Sequence, residues 1–269
     1  MSLTITQNDV LSLMFDRSRK YRERAALSRC LNGSWLDLSF EEVQQRALRL
    51  SNFLIEHGIK RGDKVAILSE SCPEWGIALF AAIRSGATVV PLDIKLTIKE
   101  LGEIVSDCQP RAIFAGDELL QTAHQLQARN GCLQFVFALI GAGEGITAVE
   151  PDTIPAVEHV GCNRSAAETA LIVYTSGTTT RPKGVMISFG TLIFQIERIE
   201  EALNAGAQDV FLSVLPMNHL LELTCGFLGP LYCGARVCFA QGLYPHQILS
   251  EIKEKQVTWM IAVPSLLNS

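Results

Sequence analysis

The feature of this sequence that most constrains its fold is a repeated alternation of short apolar runs with longer segments of helical periodicity. The run Lys64–Leu68, for example, is short and apolar and stands between two helix-like segments. Strands that alternate with helices at this spacing favour a largely parallel sheet covered on both faces. The sequence therefore predicts an α/β fold of layered, mostly parallel sheets flanked by helices.

Local signals mark where the helices begin and end. Ser39 with Glu42 and Thr97 with Glu100 have the spacing of capping boxes, and Gly58 is a typical C-terminal stop. The predicted helices lie at 39–58, 73–84, from 97 onward, near 118–129, and at 191–203, 220–232 and 245–255. The predicted strands lie at 64–68, 88–92, 111–115, 133–140, 168–174, 210–214, 235–240 and 257–263.

Residues 141–166 interrupt this alternation. They contain four Gly and two Pro without a clean periodicity, which is typical of a long connection. We therefore predict a first α/β lobe at 1–166, and a second segment at 167–269 that begins another α/β lobe. Gly141, Gly143 and Gly145 suggest a dinucleotide-binding turn, but the spacing is G-x-G-x-G and two prolines follow. A flexible turn explains them better.

Composition excludes several classes of protein. The hydrophobic content of 48% over 269 residues is enough for a substantial core, and the net charge of −5, with dispersed Lys and Arg, argues against nucleic-acid binding. The eight cysteines include no C-x-x-C pair and are expected to be small buried side chains in a reducing compartment, without a metal site.

The same composition bears on localisation. The N-terminus lacks a basic stretch followed by an unbroken apolar core, and no window holds 18 consecutive apolar residues. We therefore expect a cytoplasmic protein without a secretory signal or a membrane span. Peripheral membrane contact stays open, and the sequence does not indicate an oligomeric state.

The segment LIVYTSGTTTRPKGVMIS at 171–188 is hard to explain by folding alone. An apolar run leads into consecutive hydroxyl and Gly residues, and Lys183 follows. Hydroxyls, closely approachable backbone N–H groups and a Lys charge are suitable partners for a polyphosphate, although a solvated loop is the alternative. A Walker-type loop would need Gly before the Lys and a hydroxyl after it. The candidate nucleotide-binding residues are Thr175, Ser176, Gly177, Thr178, Thr179, Thr180, Lys183 and Gly184.

The motif YTSGTTTRPKGVMIS resembles the signature loop of the acyl-adenylate-forming enzymes, the AMP-binding superfamily of acyl-CoA synthetases, peptide-synthetase adenylation domains and beetle luciferases. The usual form is YTSGTTGxPKGVMxSH. This sequence departs from it at Thr180, where the family has Gly, and at Phe189, where the family has His. A β-branched residue at position 180 would be strained if the loop required a positive φ there.

The resemblance covers nearly the whole chain, which is similar to about the first half of such an enzyme. The segment LPMNHLLEL, with His219 inside it, looks most like long-chain fatty acyl-CoA synthetases. The resemblance implies the fold of the large N-terminal domain, a fatty acid, ATP, Mg²⁺ and coenzyme A as reactants, and a substrate contact for His219. The family's adenine-binding motif and catalytic lysine would lie beyond residue 269, so no complete set of catalytic residues is expected in this chain.

Two other functions stay open. A non-catalytic nucleotide-binding or interaction module would fit Thr180 and Phe189, and adenylation of an amino acid or aryl acid would fit the same loop. A lone His beside an apolar segment is often a packed or capping residue, so His219 has a structural alternative as well. We interpret Glu222 as a solvated residue of a helix's first turn, and Trp75 and Trp259 as core residues.

Overall fold

The computed structural model describes residues 10–16, 19–139, 151–153, 164–175 and 182–264. Its strands are β1 (Ala25–Leu31), β2 (Ser34–Ser39), β3 (Lys64–Leu68), β4 (Thr88–Pro91), β5 (Ala112–Ala115), β6 (Phe135–Ala138), β7 (Thr169–Thr175), β8 (Lys183–Ser188), β9 (Val210–Ser213), β10 (Arg236–Phe239) and β11 (Trp259–Met260).

The helices complete the alternation. They are α1 (Val10–Phe15), α2 (Phe40–Glu56), α3 (Pro73–Arg84), α4 (Ile98–Cys108), α5 (Leu120–Arg129), α6 (Phe189–Leu203), α7 (Gly229–Tyr232) and α8 (Pro245–Lys255). Short 3₁₀ turns lie at Arg19–Tyr21, Asp117–Leu119 and Pro151–Thr153, and a π-helix lies at Glu222–Leu228.

The described residues fall into two compact units, which interleave along the chain. The first contains Arg46–Glu70 and Glu74–Thr191, and the second contains Leu11–Gln45, Ser71–Pro73 and Leu192–Ser269. This division differs from the predicted boundary at residue 166. The physical reason is that β7 pairs with β4 and β8 pairs with β7, which adds both strands to the first unit's sheet.

The first unit is built on a six-stranded sheet of order β6-β5-β3-β4-β7-β8. Its first five strands are parallel, and β8 is antiparallel to β7. Helices α4 and α5 pack on one face of this sheet, where Ile104 and Leu126 belong to the same buried cluster as Leu68. On the α2 side, Phe53 meets Phe137 of β6 edge to face at 5.1 Å. The sheet therefore has helices on both faces, as expected for parallel strands.

The second unit contains a five-stranded sheet of order β11-β9-β10-β1-β2. The first four strands are parallel, whereas β2 forms an antiparallel hairpin with β1. The hairpin turn has Asn32 at φ 50° and Gly33 at φ 76°, the two positive values that a two-residue Asn-Gly turn requires. The predicted α/β fold with mostly parallel, helix-flanked sheets is confirmed.

Several local predictions are confirmed as well. Ser39 and Glu42 bond reciprocally, since the Ser39 N–H donates to Glu42 Oε2 at 2.7 Å and the Glu42 N–H donates to Ser39 Oγ at 3.2 Å. Thr97 and Glu100 form the second capping box. Gly58 ends α2 with φ +79°. These contacts explain why helix starts could be located from side-chain chemistry alone.

Other predictions need correction. The hairpin β1–β2 and the edge strand β8 were not predicted, and the predicted strand 257–263 is reduced to Trp259–Met260. The predicted helix 220–232 contains a π-helix, in which the Gly229 N–H bonds the Thr224 carbonyl. Pro230 has no N–H to donate to the carbonyl four residues before it, which disfavours regular α-helical bonding there.

The predicted core residues and cysteines have mixed outcomes. Trp75 is fully buried, as predicted, whereas Trp259 is half-buried and stacks on Phe211 with ring centroids 5.8 Å apart. The described cysteines are free thiols. Cys72, Cys108 and Cys238 are buried, and the other described cysteines are partly exposed. Cys162 and the turn of Gly141, Gly143 and Gly145 lie outside the described residues.

Candidate functional site

The candidate nucleotide loop joins the two antiparallel strands β7 and β8. Thr175 ends β7, Lys183 begins β8, and these two residues are partners in the ladder. Ser176, Gly177, Thr178, Thr179 and Thr180 lie between them and outside the described residues. The structure therefore brings Thr175, Lys183 and Gly184 together, and the role of all these residues in phosphate binding stays a prediction.

Lys183 has an exposed side chain on a backbone that is held in the ladder. Among the described acidic residues none forms an ion pair with it, so its charge is not neutralised by a described neighbour. A Lys ammonium with three donors beside the Thr175 end of the loop is suited to an anionic ligand.

Gly184 has a steric role in the same hairpin. It is the ladder partner of Tyr174, and a Cβ added there would lie 2.8 Å from Ile172 Cγ2 and 3.1 Å from Tyr174 Cζ. The contact with Ile172 is shorter than real Cβ contacts, so a larger residue at position 184 requires Ile172 to shift and the Tyr174 ring to give by a few tenths of an ångström. The Gly of the sequence motif is therefore explained by the packing of Ile172 and the Tyr174 ring over the strand.

Tyr174 also links the hairpin to helix α4. Its hydroxyl donates a hydrogen bond to Asp107 Oδ2. Burial, followed by this bond to Asp107, raises the pKa of Tyr174 above its ordinary value, so the phenol stays protonated and able to donate. The neighbouring Cys108 thiol is buried, which raises its pKa to about 12 and keeps it neutral.

The entrance to β7 is fixed by a buried arginine. Arg164 is 2% exposed, and its guanidinium donates to the Ala87 carbonyl at 2.9 Å and to the Thr169 carbonyl at 2.7 Å. Glu168 lies beside it at 3.2 Å and is also bonded by Arg61, which lowers the pKa of Glu168 below its usual value. These bonds connect the ends of β4 and β7 before the chain reaches the loop.

His219 lies in the second unit, after β9. Its side chain is exposed. Its backbone N–H donates to the Pro216 carbonyl at 3.0 Å, and its backbone carbonyl accepts from the Leu223 N–H at 3.0 Å. The turn before it is held by Ser71, whose Oγ accepts from the Met217 N–H at 3.0 Å. The imidazole is thus free of core packing, and its contact with a substrate stays a prediction.

The interpretation of Glu222 as a solvated residue is wrong. Its side chain is fully buried in the π-helix, and neither carboxyl oxygen has a hydrogen-bond partner of standard geometry. Burial raises the pKa of Glu222 to about 7, opposed by the Ser213 hydroxyl and the Leu215 N–H, which favour the ionised form. The signal in the sequence was a single acidic residue within an apolar run that also contains Gly226.

The described residues give no sign of a metal centre or a membrane span. Among them, no three or more His, Cys, Asp or Glu side chains are grouped so that they could hold a metal ion. Within the same ranges, no helix is both long enough and apolar enough to cross a membrane.

Comparison with known proteins agrees with this architecture. The family model of the AMP-binding enzymes matches residues 14–269. A feruloyl-CoA synthase from Amycolatopsis sp is 29% identical over 86% of this chain and 45% of its own length. The oxalate–CoA ligase of Arabidopsis thaliana is 28% identical over 96% of this chain and 51% of its own length. The chain thus spans about half the length of the curated relatives it matches.

The solved structures extend the likeness to three dimensions. A crystal structure assigned as a long-chain-fatty-acid CoA ligase from Rhodopseudomonas palustris CGA009 superposes with a TM-score of 0.86 at 25% sequence identity. The superposition covers 97% of this chain and 64% of that one. The fold is therefore shared over 97% of this chain.

Proposed function

Because this chain belongs to the family of AMP-binding enzymes, we propose that it supplies the phosphate-binding part of a ligase that activates a carboxylic acid with ATP and transfers the acyl group to coenzyme A. A carboxylate oxygen attacks the α-phosphorus of MgATP and pyrophosphate leaves, which forms an acyl-adenylate. The coenzyme A thiolate then attacks the acyl carbon, and AMP leaves with the bonding electron pair.

The pairing of Thr175 with Lys183 carries this proposal. It places the first threonine of the motif and the motif's only lysine side by side at the two ends of one hairpin loop. Negative charge accumulates on phosphate oxygens as the α-phosphorus is attacked, so the protein acts by positioning and by electrostatic stabilisation. No general base is needed for the first step, because a carboxylate is already ionised at pH 7.

Titration calorimetry of ATP against the 269-residue chain tests the phosphate site. The Lys183→Gln variant should bind ATP about tenfold to a hundredfold more weakly, the loss of one charge-assisted hydrogen bond. Lys253→Gln, which removes the same charge from an exposed position on α8, is the control and should bind like the wild type. Equal ATP affinity in both variants would contradict a role for Lys183.

We further propose a long-chain fatty acid as the acid substrate. The support is the segment LPMNHLLEL around His219 and the likeness to a structure assigned as a long-chain-fatty-acid CoA ligase. The curated relatives are named for other acids, ferulate and oxalate, so family membership does not fix the substrate. Pyrophosphate exchange into ATP distinguishes these acids. The product of the full reading frame is assayed with palmitate, ferulate, oxalate and phenylalanine, and the acid that supports exchange is the substrate.

A non-catalytic nucleotide-binding module is the second candidate. The observation that favours it is Phe189, which is fully buried at the start of α6 where the resembling motif has a polar His. Exchange in the presence of any acid would exclude this candidate. Nucleotide binding without exchange, measured on the same preparation, would favour it. The 269-residue chain alone is expected to form no thioester, because it matches only 45% of the feruloyl-CoA synthase and 51% of the oxalate–CoA ligase.

A further inference from the structure

Tyr174 contacts both strands that flank the candidate nucleotide loop. It immediately precedes Thr175 on β7, and its ring lies over its ladder partner Gly184, which immediately follows Lys183 on β8. An aromatic ring that covers a glycine across an antiparallel pair stabilises the local register, because it shields backbone that a side chain would otherwise cover. The Tyr174–Gly184 pair is thus the ladder position next to the Thr175–Lys183 pair.

The hydroxyl of Tyr174 attaches this hairpin to a rigid element. It donates to Asp107 at the C-terminal end of α4, next to Cys108, which is buried. Helix α4 is itself immobilised, since Leu101 and Ile104 pack into the core beneath the first sheet. The strand ends at the loop are therefore connected to the sheet's helical layer through one side chain.

A phenylalanine would provide the same ring and cover Gly184 equally well, so packing does not explain the hydroxyl. The Cys108 thiol is neutral, so the phenol O–H donates to the charged Asp107 carboxylate instead. Hydrogen bonds to a charged acceptor are stronger than bonds between neutral groups. The Tyr174–Asp107 bond therefore adds a directional connection to a contact that is otherwise only apolar.

We propose that Tyr174 is a positioning residue for nucleotide binding, which fixes Thr175 and Lys183 relative to helix α4 through its bond to Asp107 and its contact with Gly184. The proposal rests on the phosphate-binding function given above. It assigns no contact between Tyr174 and the nucleotide itself. Its effect is to hold the two ends of the loop in the geometry that binds phosphate before ATP arrives.

Calorimetric ATP affinity of the 269-residue chain and its variants tests the proposal. Tyr174→Phe and Asp107→Ala should each weaken ATP binding about threefold to tenfold, and the double variant should be no weaker than either single one. Asp107→Asn keeps an acceptor oxygen and should recover most of the affinity. Asp117→Ala, which removes another exposed carboxylate, is the control and should leave ATP affinity unchanged.

Hydrogen exchange provides a readout that does not depend on nucleotide. In Tyr174→Phe, backbone amides of residues 183–188 should exchange about threefold to tenfold faster than in the wild type, with those of β3 unchanged. Unchanged exchange in β8, or additive losses of ATP affinity in the double variant, would overturn the positioning role. If the wild-type chain bound no ATP, the phosphate-binding function would fail, and the exchange rates would still decide whether Tyr174 positions the hairpin.

Discussion

The carboxyl group of Glu222 occupies the space beside Gly226, so that a Cβ added to Gly226 would lie 2.4 Å from Glu222 Oε1. Both residues belong to the π-helix that follows the exposed His219. A glycine at position 226 therefore makes room for a buried acid. Buried acidic groups without good partners cost stability when they ionise, which makes the unfolding free energy of this chain depend on pH.

Glu222→Gln should remove that dependence. The pKa of Glu222 is about 7 in the folded chain, above its ordinary value of 4.5, so its stabilising contribution is complete below pH 4.5 and is lost as the pH rises through 7. The variant should match the wild type near pH 4.5 and be more stable at pH 8, by on the order of 3 kcal/mol.

Urea unfolding at several pH values measures this difference. Glu254→Gln, an exposed change on α8, is the matched control and should show no comparable shift between pH 4.5 and pH 8. A stability difference for Glu222→Gln that stays constant over the same range would mean that Glu222 does not titrate in this window.

Gly184→Ala should destabilise the first unit and weaken ATP binding. The added methyl group would lie 2.8 Å from Ile172 Cγ2, which must shift, and 3.1 Å from Tyr174 Cζ, so that the ring is displaced slightly from its place over β8. We expect a loss of about 1–3 kcal/mol in unfolding free energy. Gly102→Ala is the control, because its Cβ meets nothing within 4 Å and its helical position should gain about 0.5–1 kcal/mol. Equal stability of the two variants would contradict the steric role of Gly184.

Much of the fold could be predicted because its signals are local. Capping boxes such as Thr97 with Glu100 identify helix starts from side chains three residues apart, and the all-buried strands form short apolar runs. The hairpin β1–β2 also carried a local signal, Asn32-Gly33, which is typical of a two-residue turn. Strand β8 carried none, because its first four residues, which include the apolar Val185 and Met186, are all exposed and its burial does not alternate.

The candidate site was less predictable for a different reason. The motif identified Lys183 and Gly184, but the reason for the glycine lies in Ile172 and the ring of Tyr174 on the partner strand. The bond from Tyr174 in turn reaches an aspartate 67 residues away in the chain. The burial of Glu222 likewise depends on tertiary packing. Relations between residues distant in sequence come from the fold and leave no periodic or compositional pattern.

Arg164→Met should cost substantially more stability than loss of an exposed arginine. The buried guanidinium satisfies the Ala87 carbonyl, and its removal also leaves Glu168 with one fewer cation. We expect a loss of about 2–4 kcal/mol in urea unfolding. Arg198→Met breaks an exposed pair with Glu201 on α6 and should change stability by less than about 1 kcal/mol. Similar losses in the two variants would show that Arg164 is not an anchor of β7.

Thr180→Gly should tighten ATP binding by the 269-residue chain. Position 180 lies outside the described residues, and the prediction follows from the resemblance of the loop to a motif with Gly at this place. If the bound loop needs a positive φ there, a threonine is strained by about 1–3 kcal/mol, which corresponds to a gain of about fivefold to a hundredfold in affinity on substitution by Gly. Thr179→Gly adds the same backbone freedom one residue earlier, at a position where the family motif itself has a threonine, so it should weaken binding. Calorimetric titration with ATP and with pyrophosphate compares the two variants, and weaker phosphate binding by Thr180→Gly would mean that this loop follows a different path from that of the family motif.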